Sequence, residues 1–506
     1  MTTSCDHPEG ASVPEPATVP ATEPTERVES PYAVLRWLVL ATFVVILNET
    51  IMVNAIPRLM VELDVTARSA QWLSTAFMLT MAVVIPVTGW FLQRVTTRQA
   101  FTTAMVVFLV GTALAALAPV FWVLIVGRVV QAAGTAVMLP LLMTTLMTIV
   151  PEHDRGRVMG NVTLAISVAP ALGPAVSGVI LQFASWRWLF VLVLPVALAV
   201  TVLALRHLTD VGETREARLD VPSVLLAALG FGTLVYGLSR IGAEAASSLP
   251  APAVVGVGLA VVGLFVWRQL SLQRRESPLL DLRVLAHRTY AVGVTVQSVS
   301  FLAMMGAMIL LPLYLQDLRG LSPLQTGLLV APGGIAMGLL GPRVGKVFDR
   351  LGARVLVVPG SVGVVAGLLL LSQVGATTSY GFVLGAHVLL MVSLAALFTP
   401  VFTLSLGALP GHLHSHGSSL LGTSQQVSAA IGTAVAVTVL SSRTTALAGG
   451  GSTPDEAFLG GLQWAFGAAG LIAVTVVGLA LLLPSRVPGA GPGMHDEAPA
   501  GETAPA

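Results

Sequence analysis

The sequence predicts an all-α membrane protein whose helices form two similar halves. Hydrophobic residues make up 55% of its 506 residues and charged residues only 10%. The mean hydropathy is +0.85, and one loop motif recurs 256 residues later in the chain. Soluble domains carry about 25% charged residues. This composition therefore indicates a chain that crosses the bilayer many times.

Polar tails are expected at both ends. Residues 1–31 are rich in Pro, Glu, Thr and Ser and lack the basic start and apolar centre of a signal peptide, which predicts a disordered cytoplasmic tail. Residues 485–506 are rich in Pro, Gly and Ala and are predicted to be the same. The single cysteine, Cys5, lies in the first tail, so the sequence offers no disulfide framework.

Fourteen stretches are long and apolar enough to cross the membrane. A helix must span about 30 Å of hydrocarbon, which takes about 20 largely apolar residues. The predicted spans are 34–56, 70–92, 100–118, 121–148, 158–183, 188–205, 222–241, 252–268, 290–314, 323–344, 354–373, 379–408, 418–441 and 459–483.

The distribution of positive charge predicts the orientation of these spans. Fourteen spans place both tails on the same side, and that side receives nineteen of the 26 Lys and Arg residues, against six on the other side and one inside a span. Positive charge is retained on the cytoplasmic side. Both termini are therefore predicted to be cytoplasmic.

The loops after the second and tenth spans carry the same motif. PVTGWFLQRVTTR runs from Pro86 to Arg98, and PRVGKVFDRLGAR runs from Pro342 to Arg354. Both loops are predicted to be cytoplasmic, so spans 1–6 match spans 9–14, and spans 7 and 8 are an inserted pair. Such parallel repeats are typical of transporters that bind substrate between the halves near the midplane. The expected parts are an N-terminal half (32–206), linkers with the inserted helices (207–289) and a C-terminal half (290–484).

One acidic residue, Glu49, lies inside a predicted span, whereas the others of the 25 lie in tails, loops or at span edges. A charge at that depth costs about 2.5 to 3.5 kcal/mol on insertion scales, and burial favours the protonated form of a carboxylic acid. Such a group can take a proton from one side and release it to the other. The alternative is a structural carboxylate, paired with Arg128 or with a backbone group. The counterpart 256 residues later is Met305, so the acid is not part of the repeat.

The fourth span carries a polar face. Arg128, Gln131 and Thr135 fall within about 60° of one another at 100° per residue. A guanidinium cannot lose its charge and needs partners facing the bundle interior. Alternatively, Arg128 lies near the outer end of its span and extends to the interface.

Several stretches together resemble motifs of the major facilitator superfamily. They are GWFLQRVTTR after the second span, RVVQAAGTA (128–136) in the fourth and APALGPAVSG (169–178) in the fifth. With fourteen spans, SWRWLF (185–190) and LNETIMVNAIP (47–57), the chain resembles the 14-helix drug:proton antiporter family, nearest its lincomycin-resistance-type multidrug exporters. The resemblance covers residues 36–483.

This resemblance implies roles for individual residues. Glu49 and Arg128 would take part in proton coupling, although the family acid usually stands one residue earlier, where this chain has Asn48. The first loop copy has Gln93 where the family pattern has Asp. The residues implied for a cytoplasmic gating loop are Gly89, Arg94, Arg98, Gly345, Asp349, Arg350 and Arg354. The residues of the antiporter motif, which distinguishes exporters from importers in the family, are Gly173, Pro174 and Gly178. Alternatively, the loop arginines only enforce cytoplasmic placement of the loop.

Other polar residues in or near the spans are candidates for lining a substrate cavity. Aromatic residues near span ends, Trp72 and Tyr314, are alternatively interface anchors. His387 is either a second proton site or a neutral hydrogen-bonded histidine. The histidine run from His412 to His416 lacks acids and cysteines, and no metal site is expected there. The cavity candidates are Asn48, Asn54, Gln131, Gln297, Tyr314, Gln316, Gln425 and Gln426.

The sequence therefore predicts a proton-coupled multidrug or antibiotic efflux transporter that works by alternating access in a bacterial plasma membrane. The expected partners are small amphipathic or weakly basic molecules, protons and membrane lipids, with no cofactor, no nucleic acid and a monomeric state. The alternative on the same fold is a proton-coupled importer or exporter of a specific metabolite. An enzyme or sensor would need a catalytic constellation or soluble domain that these loops do not supply, and no P-loop or HExxH motif is present.

Overall fold

The computed structural model describes residues 31–52, 55–211, 219–241, 249–274 and 278–486, and it contains no β-strand in these ranges. This confirms the all-α prediction. The predicted disordered tails lie outside the described residues, apart from the residues at their inner edges. The helices are α1 Pro31–Ile51, α2 Ile56–Glu62, α3 Ala67–Arg94, α4 Thr97–Ala116, α5 Phe121–Ile149, α6 Arg155–Phe183, α7 Trp188–His207, α8 Val221–Ser239, α9 Ala251–Gln273, α10 Arg288–Leu313, α11 Pro323–Leu351, α12 Arg354–Leu371, α13 Tyr380–Gly407, α14 His414–Gly449 and α15 Pro454–Leu482.

Thirteen helices in the described ranges are long and apolar enough to cross a membrane. They correspond to all of the predicted spans except the fifth. The helix at that position, α6, has 29 residues but is not among the thirteen. The count of fourteen spans therefore stays a prediction.

The predicted end of the first span is wrong by five residues. Helix α1 ends at Ile51 rather than at residue 56, and the short helix α2 begins at Ile56 with a proline in its first turn. Proline suits the start of a helix, since it lacks the N–H group that a continuing helix needs. Glu49 therefore lies in the last turn of α1. The chain stays inside the protein beyond it, because Ala55 and Leu59 are fully buried.

Two helix pairs form most of the contact between the halves: α6 packs against α11, and α3 packs against α14. Glycines bring the backbones of α6 and α11 close together. A Cβ atom added to Gly341 would lie 2.5 Å from the carbonyl oxygen of Gly160, and one added to Gly345 would overlap Gly156. Small residues at such spacing allow close packing of membrane helices. The corresponding glycines of the two loop motifs differ in their neighbours, since Gly345 meets backbone whereas Gly89 faces the ring of a histidine of α14.

Both copies of the repeated loop motif reach across to the opposite half. The Asp349 carboxylate accepts hydrogen bonds from the backbone N–H groups of Gly156 and Arg157, both at 2.8 Å. These N–H groups lie in the first turn of α6, where such groups lack helical partners. In the other copy, Gln93 Nε2 donates to the carbonyl oxygen of His412 at 3.0 Å. Positions 93 and 349, like positions 156 and 412, are 256 residues apart, so the repeat extends to the contacts between the halves.

Side-chain contacts close the halves together near their cytoplasmic ends. The hydroxyl oxygens of Thr144 on α5 and Ser418 on α14 lie 3.0 Å apart, and His416 of α14 packs on Gly89 of α3. These residues and the two loop motifs all lie near the cytoplasmic helix ends. The two halves are therefore closed against each other at the helix ends that the charge distribution predicts to be cytoplasmic.

An arginine of the second loop motif donates hydrogen bonds to carbonyl groups at the end of a helix. Arg354 donates to the carbonyl oxygens of Leu483 and Leu481 at 3.1 and 2.9 Å, where α15 ends. Cations at a C-terminus also complement the helix dipole. Arg94 and Arg98 of the first motif are exposed. Arg350 is exposed too, and its carbonyl oxygen accepts a hydrogen bond from the side chain of residue 486.

The inserted pair α8 and α9 packs along the seam between α3 and α14. One apolar cluster contains Ala82 of α3, Phe231 of α8 and Ala434 of α14. The linker into the C-terminal half is held by Gln269, which is fully buried and accepts hydrogen bonds from the backbone N–H groups of residues 279–280. The inserted helices thus contact both halves at one seam.

A forked ion pair fixes the cytoplasmic ends of α8 and α9. Arg268 donates to both carboxylate oxygens of Asp220, at 2.7 and 2.8 Å. Asp220 also accepts the backbone N–H of Ser223 at 3.1 Å and so caps α8. These hydrogen bonds lower the pKa of Asp220 to about 2.

We expect Asp220→Asn to lower the free energy of unfolding by roughly 1 to 2 kcal/mol near pH 7. A carboxylate with a lowered folded pKa stabilises the protein above its unfolded pKa, and this stabilisation is lost as the pH falls towards the folded pKa. The difference from wild type should therefore stay constant from pH 8 to about 5 and shrink towards pH 2. Thermal unfolding in detergent measures it. Glu152→Gln, at an exposed acid that lies 3.6 Å from Arg155, is the control with little effect. A difference between Asp220→Asn and wild type that does not depend on pH would contradict the assignment.

We expect Asp349→Ala to loosen the cytoplasmic closure. The variant leaves two N–H groups at the start of α6 without their acceptor, and hydrogen bonds to a charged group contribute about 1.5 to 3 kcal/mol. Gln93→Ala removes a neutral bond and should have a smaller effect. Distances between spin labels at the exposed positions Glu152 and Arg343 report the separation, and identical distance distributions in wild type and Asp349→Ala would refute this role.

Candidate functional site

A buried arginine on α5 forms the centre of the N-terminal half. Arg128 is 1% exposed, and its Nη1 donates to Gln131 Oε1 at 3.0 Å and to Asn48 Oδ1 at 3.4 Å. Its guanidinium carbon lies 4.2 Å from the centre of the Phe77 ring, a cation–π contact. Residues of α1, α3 and α5 therefore hold the charge, and Arg128 does not extend to the membrane interface.

The polar contacts continue to a fourth helix. Gln131 is fully buried, and its Nε2 donates to Thr112 Oγ1 of α4 at 2.8 Å. The Thr112 hydroxyl donates in turn to the Phe108 carbonyl oxygen at 2.7 Å. Sequence reasoning missed Thr112 and Phe77. A lone threonine in an apolar helix usually bonds its own backbone, and a phenylalanine there is ordinary core, so neither residue type carried a signal.

Glu49 lies on the interior face of α1. At 100° per residue it falls on the same side as Leu38 and Val45, which are fully buried. It lies about 180° from Leu40, which is 41% exposed. The carboxylate is half-buried and interacts electrostatically with Arg128, but no direct ion pair joins the two among the residues that the structure describes.

This polar cluster lies in the outer part of the N-terminal half. Arg128 is the eighth residue of α5, about 10 Å along the helix from its outer end. Two polar atoms in the cluster, Asn48 Nδ2 and Arg128 Nε, have no hydrogen-bond partner in the described ranges. The cluster therefore retains capacity to bind a polar group.

The structure separates the cavity candidates of the C-terminal half into two groups. Gln297 on α10 is 1% exposed, and neither polar atom of its amide has a partner within the described part of the chain. Gln425 and Gln426 on α14 are half-buried. These three side chains lie on helices that pack against each other.

The other two candidates lie at the outer end of α10. The Tyr314 hydroxyl donates to the Gly375 carbonyl oxygen at 2.8 Å and accepts from Arg319 at 2.7 Å. Gln316 lines a pocket of about 270 Å³ together with Met308 and its neighbours. Neither residue is brought to the cluster around Arg128.

The antiporter motif on α6 is described in part. Gly173 faces α1, and Gly178 has open space around the position of a side chain. Asn54 and the side chain of Pro174 lie outside the described residues. Trp72 stacks on Tyr236 of α8 with ring centres 5.7 Å apart, which places it at the seam of the inserted pair.

Two histidines, His387 and His414, are buried and contact backbone carbonyl groups. His387 is 4% exposed, hydrogen-bonds to the Val330 carbonyl oxygen and lies against Gly333 of α11. His414 contacts the Leu409 carbonyl oxygen at 3.1 Å. Among the residues that the structure describes, no three His, Cys, Asp or Glu side chains form a group that could hold a metal ion.

Comparison with known proteins identifies the family. The sequence profile of the Major Facilitator Superfamily matches residues 38–433. The lincomycin resistance protein LmrB of Listeria monocytogenes is 37% identical over 411 residues, covering 81% of this chain and 87% of that protein. The putative multidrug resistance protein MdtD of Klebsiella pneumoniae is 32% identical over 407 residues, covering 79% of this chain and 84% of that protein.

Solved structures share the fold. The human organic anion transporter MFSD10 matches with a TM-score of 0.64 at 14% identity, covering 89% of this chain and all of that one. The proton:xylose symporter XylE matches with a TM-score of 0.62 at 13% identity, covering 90% of this chain and 97% of that one. At these identities the likeness concerns the fold alone. The chain belongs to the Major Facilitator Superfamily, as its loop and helix motifs predicted, and is a multi-pass transporter of a bacterial plasma membrane rather than an enzyme.

Proposed function

We propose that this transporter exports amphipathic or weakly basic small molecules, including antibiotics, in exchange for protons. The relatives named for lincomycin and multidrug resistance support drug efflux. The position of Glu49 supports proton coupling. A chain closed on the cytoplasmic side is one of the two end states that alternating access requires.

The observation that carries the proposal is the side on which Glu49 lies. A carboxylate facing lipid could not exchange protons with water, whereas one on the interior face of α1 can do so whenever the space between the halves opens. Glu49 is half-buried on that face, and it makes no direct ion pair within the described ranges. Its proton can therefore come and go without breaking a structural contact.

Arg128 supplies a fixed positive charge next to this site. Its hydrogen bonds and ring contact go to the neutral side chains of Asn48, Gln131 and Phe77. The guanidinium thus stays in place whether Glu49 is charged or neutral. In the charged state Glu49 and Arg128 attract each other electrostatically, and a weakly basic substrate can compete for the same carboxylate.

The C-terminal half supplies neutral polar surface. Gln297 holds an amide without a partner in the described part of the chain, and a buried unpaired amide gains a hydrogen bond when a substrate enters. The counterpart of Glu49 on α10 is Met305. Flexible methionine side chains adapt to ligands of different shape, which suits a transporter of several substrates.

We expect Glu49→Gln to abolish the exchange of drug for proton. In everted membrane vesicles with an acidified interior, adding lincomycin or ethidium to wild type should release protons into the medium. Glutamine keeps the shape and polarity of the side chain but cannot carry a proton. The control Glu62→Gln alters an acid of α2 in an ion pair with Arg58 near the outer surface and should behave as wild type. Drug-dependent proton release by Glu49→Gln at the wild-type level would overturn the proposal.

Moving the acid by one residue tests the role of Arg128. In Asn48→Asp/Glu49→Gln the carboxylate stands in the family register and would meet Arg128 directly, since Asn48 Oδ1 already lies 3.4 Å from Nη1. A direct ion pair favours the charged state. We therefore expect exchange to return with a changed pH dependence, measured in the same vesicles. The single variant Asn48→Asp is the control. A double variant as inactive as Glu49→Gln alone would contradict this expectation and show that a carboxylate at position 48 cannot replace the one at position 49.

A further inference from the structure

The two neighbours of Glu49 are held by two different helices. Asn48 accepts a hydrogen bond from Arg128 of α5 at 3.4 Å. On the other side, the Thr50 hydroxyl lies 3.5 Å from the carbonyl oxygen of Ala169 on α6. Thr50 also bonds the Leu47 carbonyl oxygen of its own helix at 3.0 Å, which fixes the rotamer of its side chain.

Thr50 packs into a gap in α6 that a glycine creates. A Cβ atom added to Gly173 would overlap the Thr50 hydroxyl and lie 2.7 Å from its Cβ. No side chain larger than hydrogen fits at position 173 while Thr50 stays in place. The antiporter-motif glycine thus forms the socket for the residue that follows the acid.

These two contacts fix the rotation of α1 at Glu49. Successive helical residues point about 100° apart, so the two neighbours are held in directions about 200° apart and Glu49 points between them. The last turn of α1 cannot rotate while both contacts persist. The carboxylate keeps its direction towards the interior for this reason.

Helix α6 also forms the closed cytoplasmic contact with α11. Its first turn is capped by Asp349, and Gly160 packs on Gly341. A movement of α6 during cytoplasmic opening therefore reaches α1 through the contact between Gly173 and Thr50. The movement passes from α6 to α1 without an intermediate residue, because Gly173 and Thr50 touch each other directly.

We propose that Thr50 is a positioning residue that links the movement of α6 to the direction, and hence the proton affinity, of Glu49. This inference rests on the proposed proton exchange and names a residue that controls it. The charged group that acts on Glu49 is Arg128 of α5. On the other neighbouring helices, α6 and α7, the titratable residues stand at the cytoplasmic ends: Arg155, Arg157, Arg206 and His207.

The test is the pH profile of drug-driven proton release in everted vesicles, with ethidium as the probe. Thr50→Val loses the hydroxyl but keeps the side chain packed against Gly173, and because this packing holds α1 in place the variant should retain the wild-type profile. Thr50→Ala empties the socket, and Gly173→Ala fills it. Both should shift the pH of half-maximal exchange by about half a unit or more. Thr201→Val, at a buried threonine of α7 that bonds its own helix, is the matched control.

A double variant separates positioning from folding. Thr50→Ala/Gly173→Ala removes the overlapping hydroxyl and should recover part of the thermal stability lost in Gly173→Ala, but not the wild-type pH profile. Wild-type profiles in folded Thr50→Ala and Gly173→Ala would overturn the role of Thr50. That result differs from failure of the proposed function, in which Glu49→Gln itself retains drug-dependent proton release.

Discussion

A permanent positive charge inside the helix bundle is the constraint on which the N-terminal half depends. Arg128 cannot lose its proton, and an unpaired buried charge would cost several kcal/mol. Neutral side chains from three helices surround the guanidinium: an asparagine, a glutamine and an aromatic ring. Since none of these partners changes its charge, the contacts of the guanidinium do not depend on the charge of the nearby acid.

The same arrangement explains why the acid stands at position 49. In the family register the acid would occupy position 48, which here holds the amide that contacts Arg128. Moving the carboxylate by one residue turns it by about 100°, away from direct pairing and onto the buried face of α1 that carries Leu38 and Val45. This placement requires that the last turn of α1 does not rotate, and the contacts of residues 48 and 50 prevent its rotation.

The internal repeat governs how the halves close. Residues 93 and 349 occupy equivalent positions and contact the equivalent residues 412 and 156. The chemistry differs between the two sides, because the second motif copy uses a carboxylate on helix N–H groups and the first uses an amide on a carbonyl group. The two contacts that close the cytoplasmic side thus occupy equivalent positions but differ in strength. The contact of Asp349 is the stronger one, since hydrogen bonds to charged groups are stronger than those between neutral groups.

Much of this could be predicted from the sequence, because hydropathy, charge and the repeat are local patterns. The helical class, the family, and the polar face of Arg128 and Gln131 follow from such patterns. The predicted end of the first span was wrong, because an apolar run does not show where one helix ends and the next helix, α2, begins with a proline in its first turn. The roles of Phe77, Thr112 and Thr50 depend on which helices meet in space, and side chains so common in membrane helices carry no signal of their neighbours.

The proposed proton exchange at Glu49 is tested most directly by measuring the water accessibility of position 49. The chain has one cysteine, Cys5, so Glu49→Cys in a Cys5→Ser background leaves a single thiol inside the membrane. Charged thiol reagents that cannot cross the bilayer are added from outside to whole cells and from the cytoplasmic side to everted vesicles. The account predicts labelling from both sides, at rates that change in opposite directions when Asp349→Ala loosens the cytoplasmic closure. A thiol that reacts from neither side would place Glu49 against lipid or a neighbouring helix and contradict the account.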